Sequence, residues 1–452
     1  MSETATATTG PLDGVRVVEM GVWVAGPATG GILADWGADV IKIEPPSGDP
    51  ARAFGRLLGG DMDANPPFEL DNRSKRSVVL DVTTEEGRTA ALDLIATADV
   101  FLTNIRPAAL ERVGLDHDTL LARDQRLVYA LITGFGLEGP DADRAAYDIA
   151  AYWARAGIAH LLTAPGDDPP FQRGGMGDHT VAMTGAGMVC AALVSRQATG
   201  RGQLVTTSLL RQGAYTVGFD LNVYLMWGRE IALGRRQAMG NPAMNNYVAG
   251  DGKRFWIVGL DGERHWPSLA RAVGHPEWLE DGHDYATPLG RFQHAAELIG
   301  TLDEIFATRP LAEWAEVFAA DPEFFWAPVN SLEDLLADPQ FHAAGGLVQV
   351  PDGSTSTTML ATPVDFHGTP AGPRATAPGL GEHTEEILAE LAKSAVGREL
   401  PRPSREAIEA QVGPLTEEEW AGCEAIIERE AAQGIEVTDR YLVHVVQQSR
   451  AD

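Results

Sequence analysis

An α/β fold built on a parallel, Rossmann-like sheet is what the first third of this chain predicts. Short apolar runs alternate there with helix-patterned segments, and most runs are closed by Gly or by an acidic helix start. VRVVEM (15–20) is the first strand and GPATGGILADWG (26–37) the helix after it, ending in Gly. DVIKIE (39–44) and SVVLDV (77–82) are the next strands. TEEGRTAALDLIATA (84–98) has two glutamates in its first turn, where the helix dipole favours negative charge. VFLTNI (100–105) and LVYALITGFG (127–136) complete the predicted set. Parallel sheets of this kind bind ligands at the carboxyl ends of their strands.

Further along, GGMGD leads into a long apolar helix, HTVAMTGAGMVCAALVSRQATG (179–200). NNYVAGDGKRFWIVG (245–259) reads as a β-hairpin turning at Asp251-Gly252. Amphipathic helices follow to about residue 338, as in a second, smaller α+β domain. Short strands and the helix HTEEILAELAK (383–393) then close the fold. The expected divisions are 11–220, 221–340, a return over 341–398, and an acidic helical extension over 399–452.

The chain has 452 residues, 44% of them hydrophobic, which is ample for more than one core. Lys and Arg total 35 against 64 Asp and Glu, a net charge of -29. Such a surface repels nucleic acid and anionic lipid, so neither is an expected partner. It also repels any phosphate-bearing ligand unless a local basic island receives it. Two cysteines, Cys190 and Cys423, are too few for a disulfide framework or a zinc cluster, and no metal site is expected. MSETATATTG has neither the basic nor the apolar region of a signal peptide, and no apolar run nears the roughly 20 residues of a membrane span. The expected location is the cytoplasm.

The segment after the first strand, MGVWVAGPATGG, is neither a P-loop nor a dinucleotide fingerprint, which argues against a nicotinamide enzyme. A basic island does exist. Asn72, Arg73, Lys75 and Arg76 precede one strand, and Asn104, Arg106 and Arg112 follow another, at edges where charge-assisted bonds to phosphate are possible. In GGMGDHT (174–180), Asp178 falls at the expected N-cap of the long helix, beside glycines that let a substrate approach the backbone. An ionised, partly desolvated aspartate there can serve as a nucleophile. On local sequence alone, a plain capping aspartate is the commoner reading.

Several segments occur together in order: PLDGVRVVEMG, AGP (25–27), LADWGADVIKIEPPSGDPAR (33–52), NRSKRSVVLD (72–81), ADVFLTNIRPAALERVGLD (98–116), ITGFGLEGPDADRAAYD (132–148), GDHT (177–180), TGRGQLV (199–205), APVNSLEDLLADPQF (327–341) and LGEHTEEIL (380–388). As a set, from about residue 11 to 395, they resemble the family III (CaiB/BaiF) coenzyme A transferases. The resemblance implies that Asp178 is the residue that becomes acylated and that Tyr147 and Asp148 lie beside it. It also implies that Asn72 to Arg76, Asn104, Arg106 and Arg112 lie in segments that hold CoA. The family fold pairs a large Rossmann-like domain, made from both chain ends, with a small domain, and two subunits interlock. An acyl-CoA and a carboxylic acid are the implied substrates, with no permanently bound cofactor.

Val24 stands where oxalate-type members carry Gln, VTTSL (205–209) replaces the usual VDVSL, and the tail after about 400 has no counterpart. The α-methylacyl-CoA racemases share the fold and the aspartate but place a His at the position of Tyr147. Their chemistry needs an acid/base group on each face of the α-carbon, and an unperturbed tyrosine, titrating near about 10, is a poor one. A CoA-binding module without catalysis is a further alternative, which Asp178 in its glycine setting opposes. Bulky residues Trp23, Trp153, Phe324, Phe325 and Trp326 are candidates for lining an acyl pocket.

Overall fold

The computed structural model describes residues 10–57, 65–231, 234–369, 371–395, 403–431, 437 and 439–451. The expectation about the N-terminal ten residues therefore falls almost wholly outside the described part. Six parallel strands form one sheet: β1 (Arg16–Met20), β2 (Asp39–Glu44), β3 (Arg76–Val79), β4 (Val100–Thr103), β5 (Val128–Thr133) and β6 (Leu204–Ser208). Their order is β3-β2-β1-β4-β5-β6. Strands are added outward in one direction from β1 to β3 and in the other from β4 to β6, so the crevice at the carboxyl ends of β1 and β4 is the topological switch point where such sheets receive ligands.

The strands read as apolar runs because the sheet is covered on both faces. β4 and β5 are buried at every position. α1 (Ala25–Asp35) follows β1, and α2 (Pro66–Asn72) leads to β3. α3 (Glu85–Ile95) is capped by the Thr84 hydroxyl, and α4 (Pro107–Val113) follows β4. The 24-residue α5 (Met176–Thr199) returns the chain from the carboxyl edge of the sheet to β6. α1 and α5 pack closely through small residues. A Cβ on Gly185 would come within 2.6 Å of the Thr29 hydroxyl oxygen. α6 (Leu209–Thr216) and α7 (Gly218–Trp227) follow β6.

The small domain is built on an antiparallel sheet of β7 (Met244–Val248), β8 (Arg254–Val258) and β9 (Trp326–Pro328). The expected hairpin is there, with Asp251-Gly252 at its turn. Tyr247, Phe255, Phe306, Phe318 and Phe324 form its aromatic core. Phe324 stacks on Phe318 at 4.3 Å, and Trp326 packs on the same cluster, so these two belong to the core rather than to an acyl pocket.

β10 (Leu347–Asp352) and β11 (Thr355–Leu360) pair as a hairpin outside the main sheet. The chain then returns to the β3 edge. Arg374 donates to the carbonyls of Ala34 and Ala38, and the His383 N–H donates to Ser77 O at 3.0 Å. The large domain is thus assembled from distant parts of the sequence. Residues 384–452 group as a unit of their own, so the boundary expected at 398/399 lies near 383/384. Helices Arg405–Val412, Glu417–Ala431 and Asp439–Ala451 bury Ile408, Cys423, Leu442 and Val446 within that unit. Among the described residues no helix is long and apolar enough to cross a membrane.

Candidate active site

The loop Gly21–Val24 leaves β1 at the switch point, and side chains hold it almost atom by atom. Asn104, just past β4, accepts from Val22 N–H at 2.9 Å and donates to Val22 O at 2.8 Å. Asp49 accepts from Trp23 N–H at 3.0 Å, and Lys42 Nζ donates to Gly21 O at 3.0 Å. Trp23 has φ 64°, a conformation that costs a bulky residue energy and persists only where surroundings fix it.

The fixing groups form a buried charge network. Glu19 lies between Lys42 at 2.9 Å and Lys75 at 2.7 Å, all fully buried, and Lys42 also pairs with Asp49 at 2.9 Å. Burial alone would raise the Glu19 carboxyl, but the two lysines outweigh it and hold it below its usual value. Burial pushes the Lys75 amine down to about 8, against the pull of Glu19. Lys75 also donates to Pro27 O at 2.7 Å and to Asn72 at 3.0 Å, tying the start of α1 to the end of α2.

Asp178 sits in the first turn of α5, three positions past the N-cap rather than at it. The N-cap is Gly175 in the left-handed conformation with φ 73°, and no side chain caps the helix. Asp148 braces this turn instead. Its carboxylate accepts from Gly177 N–H at 3.2 Å and from Gln172 Nε2 at 2.6 Å. Gly177 is required there because a Cβ would meet the buried Tyr152 ring at 2.6 Å. Its N–H is committed to Asp148 and is not free to receive an oxyanion.

Burial, and then the Asp148 charge, push the Asp178 carboxyl up to about 7. Tyr147 is 61% exposed and sets its ring edge against Trp23 at 5.8 Å. A π-helical turn over Ile149–Ala154 begins directly after Asp148, an irregularity frequent at functional sites. Trp153 is buried and donates to Pro170 O, so it too is structural.

On the far side of α5's first turn, His179 Nε2 lies 2.9 Å from the buried Asp71. That bond raises the imidazole above its usual value. The partner of His179 lies 108 positions away in the sequence. No local pattern links residues 71 and 179.

The expected CoA-holding residues separate into two groups. Arg73 is buried against Asp35 at 2.6 Å and also donates to Leu360 O. Lys75 and Asn72 belong to the buried network. Arg76 opens β3 at the amino edge of the sheet and pairs with Asp39 at 2.8 Å, away from the switch point. All four make bonds to internal partners. Asn104 braces the Trp23 loop, while Arg106 and Arg112 are exposed at the carboxyl end of β4. The structure thus brings Asp178, Asp148, Tyr147 and Asn104 to one crevice edge, with Arg106 exposed at the N-cap of α4 and Arg112 in the last turn of that helix.

The sheet carries no dinucleotide fingerprint after β1, so the class of the enzyme rests on its relatives. Residues 12–384 match CoA-transferase family III, and the chain belongs to that family. It is 33% identical to (R)-2-hydroxy-4-methylpentanoate CoA-transferase of Clostridioides difficile over 84% of this chain and 95% of that one. It is 34% identical to succinate–glutarate CoA-transferase of Agrobacterium fabrum over 84% of this chain and 96% of that one. The crystal structure of a CaiB/BaiF family protein from Brucella suis superposes with a TM-score of 0.73 at 32% identity, over 85% of this chain and all of the other.

Proposed function

We propose that this enzyme moves CoA from an acyl-CoA donor to a carboxylic acid through covalent intermediates on Asp178. The observation that carries the reading is the position of Asp178, half-buried in the first turn of α5, a turn that the Asp148 carboxylate braces through Gly177 N–H. A carboxylate oxygen of Asp178 attacks the thioester carbonyl, forming a C–O bond as the C–S bond breaks and CoA leaves as thiolate. The thiolate attacks the aspartyl carbonyl, releasing the donor acid and leaving aspartyl-CoA thioester. The acceptor carboxylate then displaces thiolate from that thioester, and the thiolate takes the new acyl group and regenerates the Asp178 carboxylate. Each step exchanges one acyl–oxygen or acyl–sulfur bond for another, which is the advantage of covalent catalysis.

Arg106 and Arg112 are the rim cations available to the CoA phosphates. Tyr147, standing where the racemases carry His, favours transfer over racemisation, which needs an acid/base group on each face of the α-carbon. Two subunits pairing as in the family is part of this reading. Support comes from α7, which buries none of its residues although Phe219, Leu225, Met226 and Trp227 are among them.

The test is chemical trapping. Incubation with acyl-CoA followed by hydroxylamine or borohydride marks Asp178 in peptide mass spectrometry, and Asp178→Ala abolishes both labelling and turnover. A label on another residue, or full turnover in Asp178→Ala, would sink the assignment.

A further inference from the structure

Among the described residues no hydrogen bond or ion pair holds the Asp178 carboxylate, so its place is set by the turn that carries it. That turn begins at Gly175 with no side-chain cap, which leaves the first N–H groups of α5 without the usual support. Asp148 braces one side of it through Gly177 N–H. The other side is held by His179, the residue directly after Asp178.

The His179 Nε2–H donates to Asp71 Oδ1 at 2.9 Å. Asp71 is buried near the end of α2, and Lys75 Nζ anchors the next residue, Asn72, at 3.0 Å, so the acceptor stands on a fixed support. A Cβ on Gly175 would stand 3.3 Å from the imidazole Cε1 and 3.9 Å from a Val24 methyl. The ring thus lies between α2 and the N-cap of α5, with the switch-point loop beside it. Asp71, Asp178 and Asp148 all favour its cationic form. Asp365 and Arg73 line the same cavity as the ring, and Arg73 is committed to Asp35 at 2.6 Å. Neither brace uses the Asp178 carboxylate, so both persist while that group is acylated and released.

We propose that His179, held by Asp71, is a positioning residue for Asp178: it fixes the first turn of α5 from the α2 side and sets a positive charge beside the nucleophile to offset that of Asp148. The inference deepens the transfer reading above and rests on it. The imidazolium favours the ionised, attacking form of Asp178, against the burial and the Asp148 charge that favour the protonated one. The Asp71 bond keeps the imidazole charged to higher pH and orients its ring.

His179→Gln separates the two roles, because the amide still donates to Asp71 but carries no charge. Its kcat/KM should reach the wild-type plateau at high pH, with the midpoint raised by about 0.5–1 pH unit, since a partly exposed opposite charge counts for less than a buried one. His179→Ala loses bond and charge together. Its plateau kcat should fall at least roughly tenfold, with both KM values within about twofold of wild type, because misplacement affects bond-making more than binding. A histidine serving stability alone would lower the melting temperature and leave the midpoint in place. The coupling is mutual, so proton NMR of Asp178→Asn protein should show the His179 imidazole titrating at lower pH than in wild type, a readout that needs no turnover. A His179→Gln midpoint equal to that of wild type would overturn the proposal, as would an undiminished plateau in His179→Ala. If His179→Ala does not fold, the His179→Gln midpoint decides. Should the covalent reading fail instead, trapping would miss Asp178 while the NMR shift persists.

Discussion

Asp178 is subject to opposed influences. The amino end of a 24-residue helix favours its ionised form, whereas burial and the neighbouring Asp148 favour the protonated one and prevail. Because the ionised form attacks, kcat/KM should rise with pH through about 7 and level off above it. Asp148→Asn removes the like charge while keeping an acceptor for Gly177 N–H, so the midpoint should move to lower pH. A profile with the same midpoint in both proteins would assign it to another group. The same shift governs stability. The folded chain binds this proton more tightly than the unfolded one, so ionised Asp178 destabilises the fold, increasingly from pH ~4 to ~7. Asp178→Asn should therefore gain about 1–2 kcal/mol at pH 8, allowing for partial exposure, and almost nothing near pH 4. Urea unfolding at the two pH values measures it. On the rim, Arg106→Ala and Arg112→Ala should each raise the KM of acyl-CoA several-fold at low salt, and less at high salt, because exposed charges are screened.

At the scale of elements, the sheet was legible because strands buried on both faces must be apolar runs. β1, β2 and β4 lie within two residues of where those runs suggested, and β5 ends three residues before its run does. β6 was not foreseen, since LVTTS at a sheet edge carries two threonines and no apolar run. β9 is three residues long and ends in Pro, too short to show a period. The cation clusters misled for a different reason. Arg73 finds Asp35 and Lys75 finds Glu19 across 38 and 56 positions, pairings that no local pattern records. One hint was present: Glu19 and Lys42 stand inside otherwise apolar strands, and charges so placed must meet one another. The start of α5 was legible in its glycines but not in its register, because Gly175 begins the helix before Asp178. That register can be tested. Gly177→Ala should destabilise the fold by about 1–3 kcal/mol through collision with Tyr152 and cut turnover by displacing Asp178. Full stability in that variant would mean that the two groups are farther apart than described.

For the whole molecule, surface chemistry is the guide. With a charge of -29 this chain should keep apolar groups off its surface, yet Met226 in α7 is 82% exposed and its helix has no buried residue. A ten-residue apolar helix gains nothing from packing when left in water, so its sequence makes sense only against a partner. The partner proposed above is a second copy, and the two acidic surfaces would then repel each other. Apolar burial must then overcome the repulsion, which predicts a salt response opposite to that of an ion-paired interface: added salt should strengthen association by screening like charges. Light scattering after size exclusion should show a dimer. Leu225→Glu with Met226→Glu should shift it toward monomer, most strongly at low salt. A wild-type monomer at micromolar concentration, or a double variant that stays dimeric, would place the interface elsewhere.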